Sequence, residues 1–500
     1  MKILKHQLSR NIIISVTTFL SSFIISIILI PYLVNHIGVS AYGFVPLAMF
    51  LTEYVTIITQ SITSSVNRFF TLNYNENKIV IAERIFNTAL VGSIILSCIL
   101  IFIFIYPSLN PQIIFNITPA ILEDVRLLFL YVFLSFILSL PTSIFNVSLY
   151  SQNRIDILQF LNIIRTLSRF LLILLFFNIS NVSLASVGYA TFISSLIILI
   201  SSIYYFRKFT PDIKLSYINF DSKLAKKLLS FSSWLLISQI GFILFAKIDL
   251  LLVNLYLGDQ KSGEYAIISQ LTSQLRTAFG VVAGVLGPFI LIKYSQLNKI
   301  KFSKLIINLY STSSFLLFIP IIIIFIYSNE ILKFWLGEDF SHLSSTLKIL
   351  ILGVGLMVAP TPLYAYINTA SHVKFAAIIS ISSGVLNLII AIFLLEFTSL
   401  SYNGVALASL SCIALRDIII IPLFSFYKLN YSTYNFITNQ LKFIIYLFIS
   451  FYSINFIRNI SSINSLYEFI LMGIISFFVL ITIFIVFSYK FELKELRKLM

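Results

Sequence analysis

The chain has 500 residues, of which 59% are hydrophobic and only 11% charged, and its formal net charge is +15. Soluble domains are about a quarter charged, so this composition excludes a soluble globular protein and indicates that lipid is the main solvent. The positive charge is typical of Lys and Arg gathered on one membrane face, next to anionic membrane lipids. It does not indicate a nucleic-acid partner.

Long apolar stretches follow one another along the whole chain. A helix that crosses the bilayer needs about 20 mostly apolar residues, and fourteen stretches meet that length. We therefore predict an all-α integral membrane protein with about 14 transmembrane helices. The predicted spans are 11–34, 44–66, 85–106, 123–149, 157–178, 184–206, 228–253, 265–292, 305–327, 345–368, 375–396, 404–424, 441–458 and 465–489.

Basic residues alternate strictly between the connections. The even-numbered connections and both termini hold 24 Lys and Arg, whereas the odd-numbered ones hold 3, namely Lys261, Lys333 and Arg458. Because basic connections stay in the cytoplasm, this ratio predicts that both termini are cytoplasmic. The basic N-terminus leads directly into span 1, which we interpret as an uncleaved span.

No motif for a resident cofactor or for bond-making chemistry is present. The sequence has no Gly-rich phosphate loop of the Walker type, and its two cysteines, Cys98 and Cys412, lie singly in apolar stretches. The outer connections are too short to fold into a catalytic domain. We predict a protein that is not an enzyme and that contains no metal site.

Sequence matches at a nearly constant spacing indicate an internal duplication. The pattern around Gly38 and Gly43 recurs around Gly258 and Gly263, and the basic turn at Arg154 recurs at Lys374. Because six helices are an even number, both halves would share one orientation. We predict two parallel-repeat six-helix lobes around a central cavity, followed by two C-terminal helices. The predicted domains are 1–206, a cytoplasmic linker at 207–227, 228–424, and helices 13 and 14 with the tail at 425–500.

Ionisable residues deep inside predicted spans mark candidate functional positions, because charges are costly in lipid. Deep basic residues outnumber deep acidic ones, so the predicted cavity is cationic and suits an anionic head group, especially a pyrophosphate. Lys247 and Asp249 also admit a structural ion pair, whereas Arg416 and Asp417 are neighbours that should project in different directions and not pair. The candidate cation positions are Arg165, Arg169, Arg276, Lys247 and Arg416.

Polar residues form stripes on otherwise apolar spans. Glu53 and Gln60 lie on one face of span 2, and Asn162 shares a face of span 5 with the two arginines. We expect Gln60 and Asn162 to line the cavity and Glu53 or Asp249 to balance its charge or carry a coupling ion. A similar stripe on span 1 runs from Asn11 to Ser26. For that stripe, ordinary contact between packed helices is the alternative.

Several segments resemble the polysaccharide-biosynthesis flippases, the Wzx-type branch of the multidrug/oligosaccharidyl-lipid/polysaccharide (MATE-like) superfamily. They are YLVNHIGVSAYG (32–43), NRFF (67–70), QNRID (152–156), LLVN (251–254) and GEYA (263–266). The resemblance extends to the number and layout of the spans over nearly the whole chain. Its motifs identify the superfamily more specifically than the cargo.

The resemblance implies a flippase of the bacterial inner membrane. It would move undecaprenyl-diphosphate-linked oligosaccharide repeat units to the outer leaflet by alternating access, for O-antigen, capsule or exopolysaccharide synthesis. Candidate partners are the polymerase and other polysaccharide-assembly proteins, and coupling to protons or sodium occurs in the family. The basic positions and Glu53 match the family's pattern, but no cation site matches residue by residue. The alternatives are a multidrug exporter, a lipid-II flippase, or a membrane glycosyltransferase or polymerase.

Overall fold

The computed structural model describes residues 2–179, 182–216, 221–226, 248–370, 372–460 and 463–488, and every regular element in these ranges is helical. A π-helical segment, Leu415–Ile420, joins α14 to α15. The helices are α1 (Lys2–Ile37), α2 (Val39–Asn75), α3 (Ile79–Leu109), α4 (Leu122–Phe145), α5 (Val147–Ser151), α6 (Ile155–Ile179), α7 (Leu184–Phe209), α8 (Ile248–Gln296), α9 (Lys299–Ile326), α10 (Ser328–Leu336), α11 (Ser344–Val358), α12 (Thr361–Thr369), α13 (Val373–Phe397), α14 (Tyr402–Ala414), α15 (Ile421–Lys428), α16 (Thr433–Ile460) and α17 (Leu466–Ser488).

Eleven helical stretches within the described ranges are long and apolar enough to cross a membrane. They coincide with predicted spans 1, 3 to 6 and 9 to 14, which confirms the all-helical membrane class. Predicted span 2 lies within α2, of which only Val39–Met49 counts as a shorter apolar stretch. Predicted span 7 falls mostly on 227–247, outside the described residues, and span 8 lies within α8. The count of fourteen therefore stays a prediction.

The fourth span of each predicted half is broken in the same manner. In the first half α4 is followed by the short α5 and then by the basic turn at Arg154. In the second half α11 is followed by the short α12 and then by the turn before Lys374. Pro360 lies at the second break, where it has no N–H to continue the hydrogen-bond ladder of the helix. The shared break is a structural counterpart of the predicted duplication.

The chain divides into two compact units. Among the described residues, the first unit contains α1 to α7 and the segment Val253–Ala266, and the second contains the start of α8 and everything from Ile267 onward. Stacked aromatic rings fill the core of the first unit, with the centroids of Phe86 and Phe206 4.2 Å apart. The predicted domain limits at 207–227 and 425 stay predictions.

A pair of glycines interrupts the chain at equivalent points of the two halves. Gly38 separates α1 from α2 and Gly258 kinks α8, and both have φ of +82°. This left-handed conformation is open to glycine and strained for other residues. The two positions are 220 residues apart (258 − 38), the same spacing as the predicted repeat. The duplication therefore reproduces backbone geometry as well as sequence.

Five residues beyond each kink, a second pair of glycines lets two backbones touch within the first unit. A Cβ atom added to Gly43 would lie 2.8 Å from Cα of Gly263, and one added to Gly263 would lie 2.7 Å from the carbonyl carbon of Val39. Nearby, the Ser40 hydroxyl donates to Oε1 of Gln260 at 2.6 Å. Small residues allow such close helix contacts in membranes.

Asp156 of the QNRID segment ties α1 to α6. Its buried carboxylate pairs with Arg10 at 3.1 Å and with Arg154 at 3.0 Å. Asn11 accepts a hydrogen bond from the Asp156 backbone N–H at 3.0 Å, and the Thr18 hydroxyl donates to the carbonyl oxygen of Gln159 at 3.3 Å. At Asn11 and Thr18 the polar stripe of α1 is thus helix–helix contact, the alternative left open by the sequence.

We expect Gly263→Ala to destabilise the protein strongly, because the new methyl group would meet Val39 backbone atoms that cannot move aside. Overpacking of this kind costs about 1–3 kcal/mol. Gly92→Ala is the matched control, since a Cβ at Gly92 meets nothing within 4 Å. Thermal unfolding in detergent should show a lower midpoint for Gly263→Ala only. Equal midpoints would contradict close backbone contact at this point.

Candidate functional site

Two of the predicted cation positions, Arg165 and Arg169, lie one turn apart on α6. Their guanidinium groups interact electrostatically with each other, and Arg169 also interacts with the Tyr42 hydroxyl of α2. Nε of Arg165 is buried and has no hydrogen-bond partner among the described residues. Like charges four residues apart destabilise a helix, and an unsatisfied buried donor adds to the cost. An anion bound at this pair would relieve both penalties.

The polar face of α6 extends from the arginines toward the start of the helix. The amide of Asn162 donates to Oε1 of Gln159 at 3.4 Å, so the predicted polar position lies on the same face as the charged pair. The backbone of Glu53 and Gln60 belongs to α2, but their side chains lie outside the described part of the structure. Their predicted roles stay predictions.

The second unit holds a buried cluster around Asp249 of α8. The Asn387 amide of α13 donates to Oδ1 of Asp249 at 3.1 Å, and the Ser409 hydroxyl of α14 lies 2.6 Å from Oδ2. Ser409 also lies 3.2 Å from Oδ1 of Asn387. All three side chains are buried. Three helices thus bring carboxylate, amide and hydroxyl oxygens together, a donor set that suits a proton or a hard cation.

Arg416 and Asp417 pair with each other, so the expectation that they would not was wrong. Nε and Nη2 of Arg416 donate to the two carboxylate oxygens of Asp417 at 3.1 and 2.7 Å, and the Tyr364 hydroxyl of α12 donates to Oδ1 at 2.7 Å. Neighbouring side chains diverge in an α-helix. Here they lie in the π-helical segment, where the wider turn changes their relative direction.

The remaining predicted residues are less closely defined. Arg276 lies on α8 and its side chain is half-buried. Lys247 lies outside the described residues, which leaves the predicted pairing with Asp249 as a prediction. Within the described ranges, no three His, Cys, Asp or Glu side chains are grouped in a way that could hold a metal ion.

Sequence reasoning missed the partners of the buried acids. Asn387 carried the clearest signal, because an amide in a strongly apolar span is costly unless it is paired. Ser409 and Tyr364 gave no comparable signal, since Ser and Tyr are frequent in the predicted spans. Identifying them requires knowing which helices are neighbours.

Comparisons with known proteins now add to this geometry. Residues 8–292 match the model of a family described as "Polysaccharide biosynthesis protein". The membrane protein EpsK of Bacillus subtilis (strain 168), described as uncharacterized, is 29% identical over 415 residues, which are 83% of this chain and 82% of EpsK. A Shigella flexneri protein named "Putative O-antigen transporter" is 23% identical over 384 residues, 75% of this chain and 87% of the relative.

Among solved structures, the lipid II flippase MurJ in an inward closed conformation has a similar fold. The TM-score is 0.70, and the match covers 95% of this chain and 99% of MurJ at 18% sequence identity. At that identity the likeness shows the fold alone. It agrees with the predicted all-helical, flippase-like architecture.

We expect Tyr364→Phe to lower the stability of the second unit, because Asp417 loses one of its buried donors. A hydrogen bond to a charged group contributes about 1.5–3 kcal/mol. Tyr427→Phe on α15 is the control, since that side chain is exposed. Thermal unfolding in detergent is the measurement. A midpoint for Tyr364→Phe that equals the control would show that the hydroxyl does not support Asp417.

Proposed function

We propose a cargo for this protein from the premise that the chain belongs to the polysaccharide biosynthesis protein family. It is a membrane transporter of flippase type rather than an enzyme. The proposed cargo is an undecaprenyl-diphosphate-linked oligosaccharide repeat unit for O-antigen, capsule or exopolysaccharide synthesis. The protein would carry it from the cytoplasmic to the outer leaflet by alternating access, without making or breaking a bond.

The observation that carries the proposal is the arginine pair of α6. A diphosphate offers several oxygens that two guanidinium groups can bind in bidentate fashion. The buried Nε of Arg165 without a partner among the described residues would gain an acceptor from such a head group. Arg169, held near Tyr42, would contact a neighbouring oxygen. Arg276 is a third candidate contact for the head group or for an acidic sugar.

The proposed location is the bacterial inner membrane, with both termini in the cytoplasm. Its support is the distribution of 24 basic residues against 3 between the two sets of connections, since basic connections remain cytoplasmic. In this orientation the polar start of α6, near Arg154, faces the cytoplasm. The negatively charged head group would therefore meet Asn162 and Arg165 before it reaches Arg169.

The Asp249 cluster is our proposed site of ion coupling. A buried carboxylate in a membrane span is costly when charged, so a bound proton or sodium ion would stabilise it. Asn387 and Ser409 supply further oxygen atoms beside the carboxylate. Loading and release of this ion would bias the second unit between two arrangements.

We expect Arg165→Gln and Arg169→Gln each to reduce translocation of undecaprenyl-diphosphate-linked oligosaccharide in proteoliposomes by about tenfold or more. That loss corresponds to about 1.4 kcal/mol, well within the value of a charge-assisted contact. Arg84→Gln is the control, because this residue is exposed at the start of α3. Arg276→Gln tests the third contact. Full activity of the α6 variants at normal protein levels would refute the arginine site.

We expect Asp249→Asn to abolish the stimulation of translocation by an ion gradient, because the neutral amide neither binds a proton nor attracts a cation. Proteoliposomes with a proton gradient alone or a sodium gradient alone identify the ion from the wild-type response. Asp339→Asn, at an exposed position, is the control. A gradient response that persists in Asp249→Asn would exclude this cluster from coupling.

A further inference from the structure

The π-helical segment Leu415–Ile420 leaves backbone groups that require a partner outside their own helix. An irregular turn among membrane-spanning helices is tolerated only where other groups satisfy its free carbonyl oxygens. Here one such carbonyl, that of Ile418, accepts a hydrogen bond from Nε2 of Gln440 on α16 at 3.1 Å. The same Nε2 donates to the Tyr310 hydroxyl of α9, also at 3.1 Å.

The direction of these hydrogen bonds is fixed by chemistry. A carbonyl oxygen can only accept, so the amide nitrogen of Gln440, and not its oxygen, must face Ile418. Tyr310 is held by aromatic packing in the apolar core around Phe426, where the ring centroids are 6.4 Å apart. Gln440 is thus anchored on one side by a packed tyrosine and donates on the other to the π turn.

The Arg416–Asp417 pair depends on this turn. Neighbouring residues on a regular α-helix are about 100° apart around the axis and do not face each other. The bidentate contact at 3.1 and 2.7 Å therefore needs the wider π turn. If the turn became regular, Arg416 would leave Asp417 and both buried charges would lose their main partner.

We propose that Gln440 is a positioning residue that keeps the segment Leu415–Ile420 in its π-helical form and thereby keeps Arg416 paired with Asp417. In this state the Arg416 charge is neutralised by its neighbour and does not contribute to anion binding. Helix α16, which follows the predicted duplicated unit, thus controls a charge on the sixth helix of the second half. The inference holds whatever the cargo is.

A double-mutant cycle on the full-length protein in detergent tests this dependence. Gln440→Met keeps the side-chain volume and removes the donor, and we expect a lower thermal midpoint. Arg416→Met combined with Asp417→Asn removes the charges, and buried ion pairs often tolerate such replacement. In that background we expect the Gln440→Met effect to shrink by at least half, because coupled sites are non-additive. Full additivity would overturn the proposal.

Gln440→Glu supplies an independent readout. A protonated glutamic acid can donate to Ile418, whereas the carboxylate only accepts and repels the carbonyl oxygen. We expect the midpoint of this variant to approach the wild-type value at low pH and to fall as pH rises. Wild type and Gln440→Met, measured over the same range, account for titration of Asp417, Tyr310, Tyr364 and Lys442.

The controls separate positioning from packing. Asn439→Met alters the adjacent residue of α16, for which the described part of the structure shows no side-chain hydrogen bond, and it should change the midpoint little at any pH. If Gln440→Glu followed the pH dependence of Gln440→Met, the donor role would be wrong. These measurements do not use transport, so their failure is distinguishable from failure of the proposed cargo.

Discussion

A charge buried among membrane-spanning helices has to find its partner within the protein, because lipid supplies none. This constraint determines which helices associate here. Asp156 ties α1 to α6 through Arg10 and Arg154. Asp249 gathers α13 and α14 around the start of α8. Asp417 holds Arg416 and draws in α12. Each buried acid is also a point where separate helices are fixed to one another.

The arginine pair of α6 stands apart from this pattern. The guanidinium groups of Arg165 and Arg169 are neighbours of like charge, and the buried Nε of Arg165 has no partner among the described residues. A protein stabilised by pairing every other described buried acid has no structural reason to place two cations together. The expense is understandable if a ligand supplies the negative charge. Arg416 differs because its charge is already neutralised by Asp417.

The sequence predicted the parts of the molecule that follow from composition and periodicity. Apolar length located the spans, and an interior charge such as Arg165 marked a functional position because lipid makes it costly. What it could not predict depends on local departures from regular geometry. Regular helix periodicity separated Arg416 from Asp417, whereas the π turn joins them. Likewise Asn387 and Ser409 are 138 and 160 residues from Asp249, a proximity that only the helix arrangement reveals.

The duplication separates what the two halves share from what each has acquired. The kinks at Gly38 and Gly258 are alike to the degree in φ, because a change in the path of the backbone would disturb every helix that packs nearby. The charged groups are not shared. At a spacing of 220 residues, Arg165 and Arg169 correspond to Val385 and Ile389, and Asp249 corresponds to Leu29. The cationic face therefore belongs to the first half and the buried acid cluster to the second. Such a division lets one half bind an anion and the other an ion of opposite charge without direct competition, which is the arrangement that coupled transport of an anionic cargo requires.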